Sequence, residues 1–354
     1  MTRRALITGV TGMLGRELAL CLGRRGYAVY GAARWPLDRW EDGLAWLPIV
    51  CDLADEAAVQ RAVRLSRPEV VFHLAAAQAS ALRSPSADRL FEVNVGGTLR
   101  LLTAVAEAAP GARVVIASTG AVYGPNPGPR GRWREESPLR PASPYAASKA
   151  AMELAARSAA TAHNLGVVIA RLFNLIGVSP RSDSAPAGFA RQLAAMMAEG
   201  GPRPLRTGNL QAVRDYLDAR DAARALALLG ELTGPDPVYN VCSGRGVRLE
   251  WVARELWRLS GLGDAAFSAA GAAPAPPAPA APAAVDSTAP APAALSVPAD
   301  APRLRTDRLV GDPRRIRAAT GWTPEVPLTR SLERLLVYWR ARAEAGFPEE
   351  DREP

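Results

Sequence analysis

Cysteine is scarce in this chain of 354 residues, and the little there is lacks pattern. Cys21, Cys51 and Cys242 stand far apart in apolar surroundings, with neither CxxC nor metal-ligand spacing. That excludes a disulfide scaffold and a thiolate metal centre, and it points to reduced, buried thiols in a cytoplasmic protein. Long hydrophobic runs are missing too: none reaches the roughly 18 residues that span a bilayer, so no membrane partner is expected. Met1-Thr-Arg-Arg leads straight into apolar Ala5-Leu6-Ile7, without the hydrophobic region and cleavage site of a secretory leader. Basic residues exceed acidic ones, for a formal net charge of +8. The arginines are nevertheless interleaved with acids along the whole chain, with no basic arm, aromatic platform or DNA-reading motif. No nucleic-acid partner is expected, and the excess suits an anionic substrate and cofactor. Hydrophobic residues at 48% and charged residues at 22% fit a globular protein with one large α/β core or a core plus a lobe.

What is present is a strict alternation. Short apolar runs at Ala5–Thr8, Ala28–Tyr30, Leu47–Cys51, Val70–Leu74, Val114–Ser118 and Val167–Arg171 read as strands. Between them, Glu17–Leu22, Ala57–Leu65, Thr98–Ala108 and Ala146–Ala160 carry helical spacing. Near-continuous apolar strands separated by helices predict a parallel sheet covered on both faces, an α/β doubly wound Rossmann fold over residues 1–174. Residues 175–345 are expected to form a smaller α/β carboxy-terminal substrate lobe, with some segments returning to the first sheet. Its helices are predicted near Phe189–Glu199, Arg248–Ser260 and Leu328–Ala345, with short pieces around Leu205–Tyr216 and Val238–Val241. An almost pure Ala/Pro insert at 265–302 interrupts this lobe and reads as a stiff spacer.

Two motifs carry the chemistry. The first, Leu6-Ile-Thr-Gly-Val-Thr-Gly-Met-Leu-Gly15, is strand, tight turn and helix start. Its glycines let the backbone approach a pyrophosphate while the helix N-terminus supplies N–H groups and positive dipole. Arg34, just after the second strand, could hold a 2′-phosphate, which favours NADP(H); nearby Asp38 keeps NAD(H) possible. Asp52, after the third strand, could accept from an adenine amino group or cap the following helix. The second motif is Tyr145-Ala-Ala-Ser-Lys149, which puts a phenol and an ammonium on one helical face. Such a neighbour lowers a phenol's pKa and would make Tyr145 a proton donor or acceptor near neutrality. Ser118-Thr119 ends an apolar run on the ligand side of the sheet.

Together with His73-Leu-Ala-Ala76, Asn94 in Val93-Asn-Val-Gly-Gly-Thr98, Ser118-Thr-Gly-Ala-Val-Tyr-Gly124 and Arg171-Leu-Phe-Asn174, these motifs make the chain resemble the extended short-chain dehydrogenase/reductases. These are nucleotide-sugar epimerases, dehydratases and reductases. The resemblance implies a catalytic Thr119, Tyr145 and Lys149. It implies cofactor contacts from Gly9, Gly12, Met13, Leu14, Gly15, Arg34, Asp52, Leu53, Leu74, Ala75, Ala76, Asn94, Tyr145, Lys149 and Leu172. Gly208-Asn-Leu-Gln-Ala-Val-Arg-Asp-Tyr216, Val238-Tyr-Asn-Val-Cys-Ser-Gly244 and Leu309-Val-Gly-Asp312 are similar to the family's GDP-mannose branch. That likeness implies a nucleotide-diphosphate sugar held by Thr119, Asn174, Arg191 and Arg214, reduction of the C4 ketone of GDP-4-keto-6-deoxy-D-mannose, no metal, and a homodimer. The alternatives are a 4-epimerase with bound NAD, a GDP-mannose 4,6-dehydratase or a non-catalytic nucleotide-binding regulator. Where the dehydratases carry a carboxylate after the Thr, this chain has Gly120 and Ala121, while Glu135 and Glu136 lie further along a loop. The run Pro302-Arg-Leu-Arg-Thr-Asp307 departs from the branch's guanine-binding pattern and leaves the base open.

Overall fold

The computed structural model describes residues 2–35, 46–78, 85–124, 131–180, 182–199, 201–234, 238–262 and 308–346. Asp38, the insert at 265–302 and the run 302–307 lie outside the described residues. The chain opens as β1 (Arg4–Thr8), α1 (Met13–Arg24), β2 (Ala28–Ala33), β3 (Leu47–Val50), α2 (Glu56–Ser66), β4 (Val70–His73) and α3 (Ala87–Phe91). A single π-helical turn, Glu92–Gly96, runs into α4 (Gly97–Ala108), followed by β5 (Arg113–Thr119), a 3₁₀ turn at Gly120–Tyr123, α5 (Pro144–His163) and β6 (Val167–Leu172). Then come β7 (Asn174–Ile176), α6 (Ala185–Glu199), β8 (Val213–Asp218), α7 (Ala219–Glu231) and β9 (Val238–Val241). The chain ends with β10 (Gly246–Arg248), α8 (Leu249–Ser260), β11 (Arg308–Leu309), α9 (Arg314–Thr320) and α10 (Leu328–Glu344).

Seven parallel strands form the main sheet in the order β3-β2-β1-β4-β5-β6-β9. The order reverses at β1, between β2 and β4, which is where such sheets bind ligands. Successive strand residues point to opposite faces, so each face has its own core. On one face Ile7, Val115 and Val168 pack with Leu18 and Leu22 of α1 and Leu226 and Leu229 of α7. On the other, Leu6, Val71 and Ile116 meet Val63 of α2, Leu101 and Leu102 of α4 and Met152 of α5. All six expected strands are present, within one to three residues of their predicted ends. The sequence reading missed α7, which returns to cover this sheet, and treated β9 as a loose piece although it pairs with β6.

A smaller four-stranded sheet is built around β8, flanked by β7, β10 and β11. A third core here joins Phe189 and Leu193 of α6, Val252 and Leu256 of α8, and Leu332, Leu335 and Trp339 of α10. Polar side chains set the helix starts. Ser143 accepts from Ala146 N at 3.2 Å ahead of Pro144, whose fixed φ suits the first turn of α5. Asp218 ends β8, accepts from Arg220 N at 2.8 Å to start α7, and takes the Ser331 hydroxyl of α10 at 2.6 Å.

Leu226, buried between α1 and the sheet, tests this packing against Leu65, which is 67% exposed. Leu226→Ala is expected to lower the unfolding free energy by about 2–5 kcal/mol in urea titrations, with Leu65→Ala changing it little. Equal effects at the two positions would refute the placement of α7.

Candidate active site

The site grows from the turn between β1 and α1. Gly9 has φ +72°, and a Cβ there would sit 2.7 Å from Ala75 N; a Cβ at Gly15 would sit 2.3 Å from Gly9 O. Only glycine allows that backbone path. Gly12 caps α1 without a side-chain hydrogen bond, so the first-turn N–H groups at Met13, Leu14 and Gly15 take no partner from the cap residue. A dinucleotide's pyrophosphate fits this cradle. Met13 reaches across to Gly177, where its sulfur would lie 2.7 Å from an added Cβ.

The floor beside the turn is held by hydrogen bonds. Leu74 N donates to Thr8 O at 3.1 Å and Ala75 N to Thr8 Oγ1 at 3.3 Å. Asn94, buried within the π-helical turn, accepts from Ala77 N at 2.8 Å and donates to Ala77 O at 3.1 Å and Ser148 Oγ at 2.9 Å. Ser148 in turn donates to the Tyr145 carbonyl at 2.8 Å. Asn94 thus ties the loop after β4 to the helix turn that bears Tyr145; Ala76 lies within that loop. Buried His73 spans Thr8 and Thr98 at 2.8 and 2.9 Å. Thr98 already donates to Asn94 O at 2.6 Å, so it accepts from His73 Nε2–H, and Thr8 donates to Nδ1. Burial and the nearby Lys149 charge hold the His73 pKa down to about 3.

Thr119 ends β5, in register with Leu172 of β6, and its hydroxyl oxygen accepts from Ala121 N at 3.2 Å. α5 packs against this strand end and the 3₁₀ turn, bringing Tyr145 and Lys149 to Thr119's end of the sheet. The expected lowering of the Tyr145 pKa is not what the fold produces: burial pushes the phenol up to about 12. Helical spacing puts two groups on one face, but taking a phenolate out of water is the larger effect here. Lys149, the only lysine in the chain, is buried, and burial lowers its pKa to about 8 against the opposing pull of Glu153. Its Nζ donates to Met152 Sδ at 3.3 Å.

A second polar cluster, which sequence reasoning did not assemble, lies behind these groups. Arg171 grips Glu153 through Nε at 3.0 and 3.1 Å and Nη2 at 2.6 Å, and Ser118 donates to Glu153 at 2.5 Å. Arg171 Nη1 also donates to Tyr123 OH at 2.9 Å, and Tyr123 donates to Asn240 at 2.6 Å while stacking on Trp133. The available signal was a polar residue at the end or middle of an otherwise apolar run, at Ser118, Glu153 and Arg171.

The remaining predicted residues spread along the sheet edge. Arg34 is exposed directly after β2. Asp52 accepts from Ala54 N at 2.9 Å, but the cap of α2 is Asp55, which accepts from Ala58 N at 3.0 Å, so that alternative role of Asp52 is corrected. Leu53 is buried against Gly97, and its carbonyl accepts from Arg100 at 3.2 Å. Asn174 lies opposite Tyr216 and donates to Asp215 O at 3.3 Å. Arg214 donates to Val213 O at 3.0 Å, while buried Asp215 accepts from Ser243 N and Oγ, Gly244 N and Gly311 N rather than from Arg214. Burial raises the Asp215 pKa to about 6 despite these donors. Arg191 stands over the Trp339 ring, 5.6 Å from its centroid. Glu135 accepts from Asn240 N at 2.9 Å and Glu136 pairs with Arg315, so the two carboxylates tie the loop to β9 and α9. Among the described residues no cluster of three metal-ligating side chains occurs, and no helix is long and apolar enough to cross a membrane.

Residues 5–242 match the sequence profile of the NAD dependent epimerase/dehydratase family. The chain is 29% identical over 347 residues to the GDP-6-deoxy-D-mannose reductase of Pseudomonas aeruginosa, covering 97% of this chain and 99% of that one. The UDP-glucose 4-epimerase of Thermus thermophilus, solved in complex with NAD, is 30% identical and superimposes with a TM-score of 0.71, covering 95% of this chain and 99% of that one. The fold is also that of RMD from Pseudomonas aeruginosa complexed with NADPH, at 24% identity and a TM-score of 0.74, covering 96% and 98%.

The His73 bridge gives a pH prediction. Its folded pKa lies below the ordinary 6.5, so the unfolded chain binds more protons, and stability falls as pH drops from about 6.5 toward 3. From this ring alone, the loss by pH 5 is about 2 kcal/mol. Nitrogen-15 spectra of the ring should show the Nε2–H tautomer unchanged from pH 8 to about 4, well below the usual histidine range. A His73 ring that protonates near its ordinary pKa would overturn the bridge.

Proposed function

Because the chain belongs to the NAD dependent epimerase/dehydratase family, we propose that it reduces the C4 ketone of GDP-4-keto-6-deoxy-D-mannose with NADPH. The observation that carries the reading is the pair of residues after Thr119. Gly120 and Ala121 occupy the positions where elimination of water would need a carboxylate, and a Cβ on Gly120 would already lie 3.0 Å from the Phe173 ring. The site therefore supports ketone/alcohol exchange rather than dehydration. Similarity to a GDP-6-deoxy-D-mannose reductase along nearly the whole of both chains supports the choice of sugar nucleotide.

Bound along the glycine cradle, NADPH would supply the hydride. Gly9, Gly12 and Gly15 would take its pyrophosphate on the first turn of α1, with Arg34 placed for the 2′-phosphate and Asp52 for the adenine edge. Tyr145, with its pKa near 12, carries its proton at neutral pH and donates it to the sugar's C4 oxygen as charge develops there. Thr119 holds that oxygen with its hydroxyl. Lys149 is placed to hold the nicotinamide ribose. Asn174 and Arg214, on adjacent strands β7 and β8, would hold the diphosphate. Arg191 would join them by leaving the Trp339 ring. The epimerase reading keeps support from the Thermus thermophilus relative. A second copy of the chain would dock on the face of α4 and α5 that exposes Leu99 and Leu154.

Purified protein mixed with NADPH and freshly generated GDP-4-keto-6-deoxy-D-mannose should lose nicotinamide absorbance in step with deoxyhexose formation. Tyr145→Phe should lower kcat by about 10²–10⁴-fold. No oxidation, together with NAD that copurifies and 4-epimerisation of UDP-glucose, would replace this reading with the epimerase. Leu154→Arg should convert a dimer to monomers in sedimentation; an unchanged sedimentation coefficient would refute the docking face.

A further inference from the structure

We propose that Glu153 is a positioning residue of this site: clamped by Arg171 and Ser118, its carboxylate locks the Lys149 turn of α5 to β5 and β6. The proposal rests on the role given to Lys149 above. Glu153 lies one helical turn beyond Lys149, on the same face of α5. Ser118, which it takes at 2.5 Å, immediately precedes Thr119. Arg171, which it takes through two nitrogens, immediately precedes Leu172 and is in register with Ser118. One carboxylate therefore joins the helix that bears Tyr145 and Lys149 to the two strand ends they must face.

The same guanidinium reaches further. Through Nη1 it holds Tyr123, the last residue of the 3₁₀ turn that begins at Gly120, and the Glu135 carbonyl at 3.1 Å. Its plane also lies over the Tyr123 ring, 4.9 Å from the centroid. Both ends of the segment from Ser118 to Tyr123 are thereby referred to one buried ion pair, whose side chains are 5% and 2% exposed. Thr119 sits inside that segment, one residue from the Ser118 hydrogen bond to α5.

The charge of Glu153 also acts on Lys149. The titratable neighbours of that ammonium are Glu153 on its own helix, His73 from β4, which is neutral, and Tyr145 one turn back. Burial drives Lys149 toward the uncharged amine, and Glu153 is the charge that opposes it. With a neutral side chain at 153, the amine would lose its proton at a lower pH and grip a ribose hydroxyl as a weaker donor.

Lys149 is the chain's only lysine, which makes the test direct. Full-length protein carrying [13Cε]lysine gives one ε-methylene resonance, titrated without cofactor or substrate. The wild-type midpoint is expected at about 8, and Glu153→Gln should lower it by about one pH unit or more. NADPH affinity, read by tryptophan quenching, should weaken about tenfold in Glu153→Gln, and Glu153→Asp should recover most of both losses. Should Glu153→Gln fail to fold, the double variant Glu153→Gln/Arg171→Met removes the pair together and relieves the stranded cation, and the Lys149 midpoint should still fall, by less than in the single variant because the Arg171 repulsion is gone as well. A folded variant with reduced thermal stability but an unmoved Lys149 midpoint would overturn the proposal and leave Glu153 a structural residue. The lysine titration involves no sugar and no nicotinamide, so a wrong substrate assignment leaves its outcome untouched.

Discussion

A guanidinium, a carboxylate and an ammonium buried within one helical turn of each other cannot be taken out of water unless each finds a partner. Arg171 and Glu153 meet that demand in each other, Lys149 answers it through a lowered pKa, and the geometry of the ion pair ties α5 to the sheet. On the opposite flank of the same helix, Asn94 and Ser148 repeat the constraint with neutral groups. Both anchors follow Tyr145 on α5, and the nearer, through Ser148, reaches the Tyr145 carbonyl itself. The hydrophobic cores explain why the sheet is covered on both faces, but apolar packing tolerates small shifts. Polar clusters with fixed donor angles do not, so they define the register in which α5 lies against the ends of β5 and β6.

Such a pair is weak evidence for stability. Replacing both partners of a buried ion pair by apolar residues is often neutral, whereas removing one partner costs about 3–5 kcal/mol. The value of Arg171–Glu153 lies in its connectivity. One guanidinium serves Glu153, Tyr123 and a loop carbonyl; Tyr123 continues to Asn240 on β9, and Asn240 to the Trp133 carbonyl at 2.9 Å. The chain of contacts crosses from α5 through β6 to the edge strand of the main sheet. Asp215 performs a similar office in the smaller sheet, gathering Ser243, Gly244 and Gly311 around β8. Each sheet thus places a buried side chain with several hydrogen-bond partners where its loops converge.

The parts of this arrangement that local chemistry dictates were readable from the sequence. Glycines at 9 and 15 are forced by backbone contact, and the central strands β1, β4, β5 and β6 announce themselves because burial on both faces leaves no polar alternation. The Ser143-Pro144 start of α5 is equally local. What was not readable depends on neighbours distant in sequence. α7 buries most of its residues between α1 and the sheet and leaves only a narrow face at Arg220, Arg224, Leu228 and Glu231 outside, a stripe that the run of alanines makes easy to overlook. β9 looks like any short apolar run until β6 is placed beside it. The Arg171–Glu153 pair spans 18 positions and joins two different elements, so spacing alone does not reveal it.

The Tyr145–Lys149 spacing shows the limit most clearly, because it was read correctly as one face and incorrectly as an electrostatic result. Proximity to an ammonium lowers a phenol's pKa only if that attraction exceeds the penalty of burying the anion. Here burial dominates on both groups, raising Tyr145 and lowering Lys149, so the two move toward neutrality instead of toward an ion pair. A phenol that keeps its proton is available as a hydrogen-bond donor to an oxygen placed beside it. Both groups therefore rest closer to neutral than their spacing suggested, and Glu153 limits how far the same burial can discharge the lysine.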